Sequence, residues 1–370
     1  MSVFPGRLAI QQRVLPVYRA PFFEMLAGSC AGGMDLFAGL PRESEAIAVT
    51  AELRAARLTQ TKNLHLLGGP LYTCYQRGLL DWLERTNPDA LILEANPRYL
   101  ASPAAARWMR GRGRPVLGWG LGSPPPLGPL AGLRRNARLR FLHRFDALIA
   151  YSARGAEQYA GLGYPQARIY VARNAAAPAP KDPMPPRPDR LEGPPLVLYV
   201  GRLQARKRLG LLIRACAALP ADLQPRLRLV GEGPERPTLE ALAEETYPAT
   251  EFTGAQFGAE LAAHFAVADL FVLPGTGGLA VQEAMSYGLP VIMGQGDGTN
   301  DELVSPANGW QLTGTETLAE VLQEALSDVP RLREMGAESY RIVSEEINLE
   351  RMVEVFVGAV NQLKHQDFSS

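Results

Sequence analysis

The feature that most limits how this chain can fold is an alternation of short apolar runs with longer amphipathic stretches. Residues 7–10, 34–37, 90–93 and 116–119 and Ala147–Ala150 carry it in the first half. Leu196–Val200, Arg226–Val230, Leu270–Leu273 and Val291–Met293 carry it in the second. Runs this short read as strands buried on both faces, and the helical patterns of roughly 10–20 residues between them supply the cover. Between the halves lies a cluster of prolines (Pro178, Pro180, Pro183, Pro185, Pro186, Pro188), a composition that forms no packed core and reads as a semi-rigid linker. The expected fold class is α/β: two doubly wound, Rossmann-like domains, facing across a cleft. The expected boundaries are a first domain at 1–178, a linker at 179–195, a second domain at 196–345 and a final amphipathic helix at 346–370.

The 370-residue chain is long enough for two cores. No apolar run approaches the roughly 20 residues of a bilayer-spanning helix, and residues 8–13 lack the pattern of an export leader, so a cytoplasmic location is expected. Cys30, Cys74 and Cys216 are odd in number and scattered, as reduced thiols are. The scattered histidines argue against zinc. Net charge is zero, yet residues 1–178 hold 22 Lys+Arg against 11 Asp+Glu, leaving 16 against 27 in the remainder. The first half therefore reads as facing an anionic partner, or the split is compositional drift.

The strongest chemical signal follows the linker. The apolar strand Leu196–Val200 runs into Gly201, Arg202 and Leu203, with Lys207 shortly after and a helical pattern beyond. Two cations at a strand-to-helix turn, beside unpaired backbone N–H groups, suit a diphosphate. A departing diphosphate gains charge as its bond breaks, so fixed cations there favour the transition state. The bland alternative is a solvated basic turn. Downstream stand Gly231 and Gly233, then Ala268 and Asp269 before another strand. Gly275, Gly277 and Gly278 follow, leading into a helix with Glu283.

In order and spacing this series resembles the donor half of the retaining glycosyltransferases of family 4, which have the GT-B fold. The resemblance covers 196–312, including Val230 to Glu235, Leu273 and Pro274, Gly288 to Val291, residues 301–304, Asn308 and Gly309. Upstream, 147–152, Gly161 to Gly163, Arg173 and Asn174 resemble the end of the family's first domain; the first hundred residues match weakly. The resemblance implies a nucleotide-diphosphate sugar donor. It places Gly201, Arg202 and Lys207 on the diphosphate, Arg202 and Lys207 acting catalytically. Gly278 and Leu279 fall in the loop whose amides meet sugar and phosphate, and Glu283 on the nucleotide ribose. The family's first glutamate falls on Gly275, so sugar recognition must differ; Thr276, Gln295 and Asp297 are the nearest substitutes. The competing reading is a non-catalytic nucleotide-sugar-binding protein; a sugar-nucleotide epimerase of this fold is a third.

The expected acceptor is a saccharide or a lipid-linked molecule, as in cell-surface polysaccharide or glycolipid synthesis. The acceptor candidates are Tyr18 and Arg19, ahead of a helix opened by Pro21, with Glu94 and Trp119 at strand ends. Each has an ordinary structural alternative, such as a surface arginine or a turn. Residues 133–145 read as a helix packing Leu133, Ala137, Phe141 and Phe145 inward and presenting Arg134, Arg135 and Arg138 to an anionic membrane on the inner face of the cell membrane. A plain solvated helix is the alternative. No recognition motif accompanies the charge, so nucleic acid is not expected. No cofactor and no metal is expected; residues 296–301 lack the ligand spacing of a calcium loop.

Overall fold

A computed structural model describes residues 2–45, 47–191, 193–294, 302–314 and 317–366. The chain divides into two compact units: unit 1 comprises Met1–Ala176 and Leu349–Ser370, unit 2 comprises Ala177–Asn348.

Unit 1 runs β1 (Leu8–Gln12), α1 (Ala20–Gly28), β2 (Met34–Gly39), β3 (Arg57–Thr61), β4 (Asn63–Leu66) and β5 (Thr73–Gln76). It continues with α2 (Leu79–Thr86), β6 (Ala90–Glu94), α3 (Ser102–Arg110), β7 (Val116–Gly120), α4 (Ala131–Leu142), β8 (Ala147–Ala150), α5 (Ala153–Gly161) and β9 (Ile169–Val171). Unit 2 opens with β10 (Leu196–Val200), α6 (Leu209–Ala217), β11 (Arg226–Val230), α7 (Arg236–Thr246) and β12 (Thr250–Gly254). There follow α8 (Gly258–Val267), β13 (Leu270–Leu273), α9 (Leu279–Ser286), β14 (Val291–Met293), β15 (Gly309–Gln311), α10 (Leu318–Ser327) and α11 (Val329–Glu345). The last helix, α12 (Leu349–Gln366), belongs to unit 1.

Both sheets are parallel and doubly wound. Their strand orders are β3-β2-β1-β6-β7-β8-β9 and β12-β11-β10-β13-β14-β15. In each, the order reverses beside the first strand, between β1 and β6 and between β10 and β13. Ligands of such sheets bind at the carboxyl ends of the strands flanking that reversal. The antiparallel pair β4–β5 stands apart from the main sheet of unit 1.

Helices cover both faces of the unit 1 sheet. On one face Phe22 of α1, Trp119 of β7 and Phe356 of α12 meet with ring centres 5.0–5.6 Å apart. On the other, Phe37 packs on Trp82 at 5.2 Å within a cluster that includes Leu83, Met109, Phe145 and Tyr159.

The proline-rich stretch is not a free spacer. Its Arg187 donates to the carbonyls of Phe265 and Ala268 at the end of α8 and of Tyr287 at the end of α9, at 2.6–3.0 Å, where helix-end carbonyls have no helical partner. Burial lowers the Arg187 pKa to about 10, the charge of Arg333 adding to the effect. Tyr340 donates to the Asp182 carbonyl at 2.8 Å and Arg333 to the Pro188 carbonyl at 2.9 Å. The expected linker is therefore a strap fastened to unit 2, because its one buried guanidinium is worth several hydrogen bonds there.

Because Phe356 is fully buried between α1 and β7, Phe356→Ala is expected to cost about 3–5 kcal/mol. Urea denaturation followed by circular dichroism measures this, and an unchanged midpoint would show that α12 adds nothing to the core.

Candidate functional site

In unit 2, β10 is a run of five apolar residues that stops at Gly201, whose φ of 147° lies where side chains are disfavoured. The chain then passes through Ala205–Lys207, a single 3-10 turn, before α6. Gly231, at the end of β11, packs against the Gly201 carbonyl, and the Leu203 N–H donates to the Glu232 carbonyl at 2.8 Å. These contacts draw two glycine turns together at the sheet's reversal point.

Arg202 is exposed and makes no side-chain hydrogen bond or ion pair among the described residues. Lys207 is buried, and its ammonium donates to the Thr276 carbonyl at 2.5 Å. Burial pushes its pKa down to about 8, helped by the neighbouring charge of Arg206. The Thr276 N–H in turn donates to the Arg206 carbonyl at 3.2 Å. The loop after β13 is thus stapled to the turn after β10.

That staple explains Gly275. A Cβ built there would lie 2.5 Å from the Lys207 Cα and nearer still to the Arg206 carbonyl oxygen. Gly277, at φ 128°, stands in the same way against the Lys207 ammonium. The position where the family carries its first glutamate has no room for a side chain in this backbone. Of the substitutes, Thr276 turns its carbonyl to Lys207 and its hydroxyl toward Arg206 at 3.4 Å. Gln295, Asp297 and the rest of 295–301 lie outside the described residues.

Gly278 caps α9, which begins at the half-exposed Leu279. Glu283, one turn on, is half-buried; its carboxylate has no partner among the described residues, and burial raises its pKa. Beside Arg202 opens a cavity of about 500 Å³ walled by Gly201, Gly231, Gly233, Gln256, Phe257 and Leu261. Phe257 and its neighbours went unrecognised in the sequence because a lone exposed aromatic after a short strand carries no spacing signal. The described residues hold no group of three or more His, Cys, Asp or Glu side chains placed for a metal ion.

Unit 1 builds a second polar site at its own reversal point. Gln11, at the end of β1, donates to Gln76 at 2.5 Å and accepts from the Glu94 N–H at 3.2 Å. Glu94 ends β6 with one carboxylate oxygen buried and unpartnered. Burial pushes its pKa up to about 7, opposed by the backbone and charge of Arg13, the Tyr99 hydroxyl and Arg19. Glu94, Tyr99 and Tyr151 contribute to a cavity of about 490 Å³, with Arg98 and Arg138 also lining it.

Arg19 is not the surface arginine that its sequence neighbours allow. It is 8% exposed, and its guanidinium lies 5.4–5.6 Å from the ring centres of Tyr18, Trp119 and Tyr151. One nitrogen donates to the Asn174 side-chain amide oxygen (Oδ1) at 2.5 Å, while the other terminal nitrogen is buried without a partner. Tyr18 is exposed. Trp119, at 1% exposure, packs its ring on Phe22, Tyr151 and Phe356 and supports Arg19, and it forms part of the wall of the same cavity as Glu94.

The basic helix also departs from expectation. Phe141 and Phe145 are buried, whereas Leu133 and Ala137 are exposed, as are Arg134 and Arg135, with Arg138 half-buried. Only the last turn of α4 is held by the core; the first two turns are largely exposed, with Arg134, Arg135 and Arg138 donating to the carbonyls of Leu127, Gly161 and Leu162, and Pro124.

Two family profiles match: "Glycosyl transferase 4-like domain" over 24–175 and "Glycosyl transferases group 1" over 181–342. Over 185 residues the chain is 34% identical to a GDP-mannose-dependent alpha-mannosyltransferase of Mycobacterium tuberculosis, covering 48% of this chain and 47% of that one. Over 118 residues it is 39% identical to the sulfoquinovosyl transferase SQD2 of Arabidopsis thaliana, covering 31% and 22%. The matches thus span less than half the length of these relatives. Among solved structures, HepE of Anabaena in complex with UDP superposes with a TM-score of 0.66 at 16% identity, covering 98% of this chain and all of that one. Sucrose-phosphate synthase from Thermosynechococcus elongatus gives 0.63 at 21%, covering 98% and 99%. Two doubly wound units with these neighbours define the GT-B architecture. Matching one of these two domain models in each half, the chain belongs to the GT-B glycosyltransferases of the family 4-like kind.

Since the Lys207 turn fills the space beside Gly275, Gly275→Ala is expected to destabilise unit 2 by roughly 1–3 kcal/mol, the usual cost of overpacking. A thermal melt measures it. A melt unchanged from the parent would mean that the loop yields freely and that the close packing is not a constraint.

Proposed function

We propose that this protein is a retaining glycosyltransferase that takes a sugar from a nucleoside-diphosphate donor held by unit 2. The observation that carries the reading is the pair of cations at the switch point of unit 2. Arg202 is unpaired, and Lys207 is held by a neutral carbonyl that an anion can replace. Gly278 and Leu279 then offer backbone N–H groups at the start of α9, and Glu283 offers a carboxylate for the ribose hydroxyls. The cavity beside Arg202 accepts the base. The mannosyltransferase relative named for GDP-mannose and the neighbour solved with UDP support donors of this class without naming the base or the sugar here.

In the proposed reaction the anomeric C–O bond breaks, and its electrons pass to the diphosphate, which Arg202 and Lys207 stabilise. The acceptor oxygen bonds on the face that the diphosphate leaves, and its proton passes to the departing phosphate. Cationic side chains do the work that a divalent metal does elsewhere. Unit 1 holds the acceptor, a saccharide or lipid-linked molecule, through Tyr18, Arg19 and Glu94. Arg134, Arg135 and Arg138 face anionic lipid, each worth about 1 kcal/mol near such a surface. This suits attachment at the inner face of the cell membrane. No described helix is long and apolar enough to cross a membrane. A non-catalytic binding protein is the less favoured reading, since the missing glutamate leaves no hole.

Incubation with a panel of nucleotide sugars and saccharide or lipid acceptors is expected to consume one donor only when its acceptor is present. Arg202→Gln is expected to lower kcat/KM by about 10²–10³. Saturable nucleotide binding with no donor consumption on any acceptor would favour the non-catalytic reading. Acceptor-independent conversion of the donor would favour an epimerase.

A further inference from the structure

At the carboxyl edge of its sheet, unit 1 buries two polar atoms of opposite kind without a partner. One is a donor, a terminal nitrogen of Arg19; the other is an acceptor, a carboxylate oxygen of Glu94. Buried polar atoms are nearly always paired, so such a couple marks where a ligand belongs.

Register brings them together. Glu94 ends β6, and Trp119 stands opposite it on the neighbouring strand β7, about 5 Å away. Trp119 and Tyr151 line the 490 Å³ cavity with Glu94, and the Arg19 guanidinium lies 5.4–5.5 Å from both ring centres. The cavity falls within the range of small-molecule sites, roughly 300–1,000 Å³.

Arg19 is a cation without an anion. Its surroundings are three aromatic rings and the side-chain oxygen of Asn174. Ring faces stabilise a guanidinium, but a buried charge ordinarily has an opposite charge as well. Glu94 does not fill that place; its bonds come from the Arg13 backbone and the Tyr99 hydroxyl. The rest of the wall has the same sign. Arg98 is exposed, and its side chain has no partner among the described residues; Arg138 is engaged by the Pro124 carbonyl at 2.5 Å. Among the described residues Glu94 is the one acidic side chain of this wall.

We propose that the acceptor taken by unit 1 is an anionic saccharide, whose phosphate or carboxylate pairs with Arg19 while a nearby hydroxyl donates to Glu94. This rests on the reading that unit 1 holds the acceptor and adds the chemistry by which the acceptor is chosen. A guanidinium takes either oxyanion through parallel N–H bonds. Of the three rings around Arg19, Tyr18 is the exposed one, so the box opens to the anion on its side. Arg98 attracts the anion at the mouth.

Calorimetry on the full chain, with UDP or GDP present, compares hexose phosphates and hexuronates with their neutral parent hexoses. One anionic sugar is expected to bind at least about tenfold tighter than its parent. Arg19→Gln is expected to remove that gain, and Arg98→Gln, at an exposed site, to lower it about two- to fivefold. Neither is expected to change affinity for the nucleotide.

A hexuronate, whose charge is constant above about pH 5, adds a readout that a merely structural role would not move. Burial pushes the Glu94 pKa up to about 7, against the backbone and charge of Arg13, the Tyr99 hydroxyl and Arg19. Tyr151 and Cys74 also face it, and burial raises the pKa of each. Protonation of Glu94 removes a negative charge from beside the anion. Affinity is therefore expected to rise as pH falls through about 7, by up to about tenfold per unit, and Glu94→Gln is expected to flatten the profile.

Anionic and neutral sugars bound alike, and both weakened by Glu94→Gln, would overturn the anionic acceptor while leaving unit 1 as the acceptor unit. Nucleotide affinity lost with Arg19→Gln would overturn it too, since the anion met there would be the donor diphosphate. So would anionic-sugar binding that Arg202→Gln removes and Arg19→Gln does not. A chain that takes nucleotide but no sugar would overturn both the proposal and the acceptor reading.

Discussion

The ammonium of Lys207 is the constraint on which the arrangement of unit 2 depends. A buried cation ordinarily requires a carboxylate, and Lys207 instead has the carbonyl of Thr276. That bond draws the loop after β13 onto the turn after β10, the two strand ends that flank the reversal in strand order. Everything close to the junction must then be small. Gly275 and Gly277 carry no side chain because backbone and ammonium occupy the space where one would project. The glycine at 275 is therefore set by close packing against the turn after β10.

Unit 1 repeats the device with different parts. Arg19 is a buried cation with a neutral partner, Asn174, and one unused terminal nitrogen, boxed by three aromatic rings. In both units a cation stands near the carboxyl edge of the sheet, desolvated and paired with a neutral group. A neutral oxygen is a weaker partner than an anion for either cation. Glu94, raised toward neutrality by its burial, adds a group beside Arg19 that can hold or release a proton.

The layout of both sheets was legible because their central strands are buried on both faces and so read as unbroken apolar runs. The edge strands were not. β3 is Arg-Leu-Thr-Gln-Thr and β15 has three residues, and neither carries the pattern of a buried run. The cationic turn at Arg202 and Lys207 was visible from its order along the chain. Its geometry was not, since a sequence cannot tell that a lysine points to a carbonyl seventy residues away. Leu133 went astray because helical periodicity put it on the inner face, whereas in the fold it is 67% exposed.

The central claim is that the charged form of Lys207 exchanges the Thr276 carbonyl for a donor phosphate. The direct measurement is calorimetric affinity for a nucleoside diphosphate as a function of pH, in the parent and in Lys207→Arg. The Lys207 pKa of about 8 sets the sign: the ammonium is present below that pH and lost above it. Affinity of the parent is expected to hold near neutrality and then to fall by up to about tenfold per pH unit above pH ~8. Lys207→Arg, which keeps its charge there, is expected to give a flat profile. A parent profile as flat as that of the arginine variant would contradict the account.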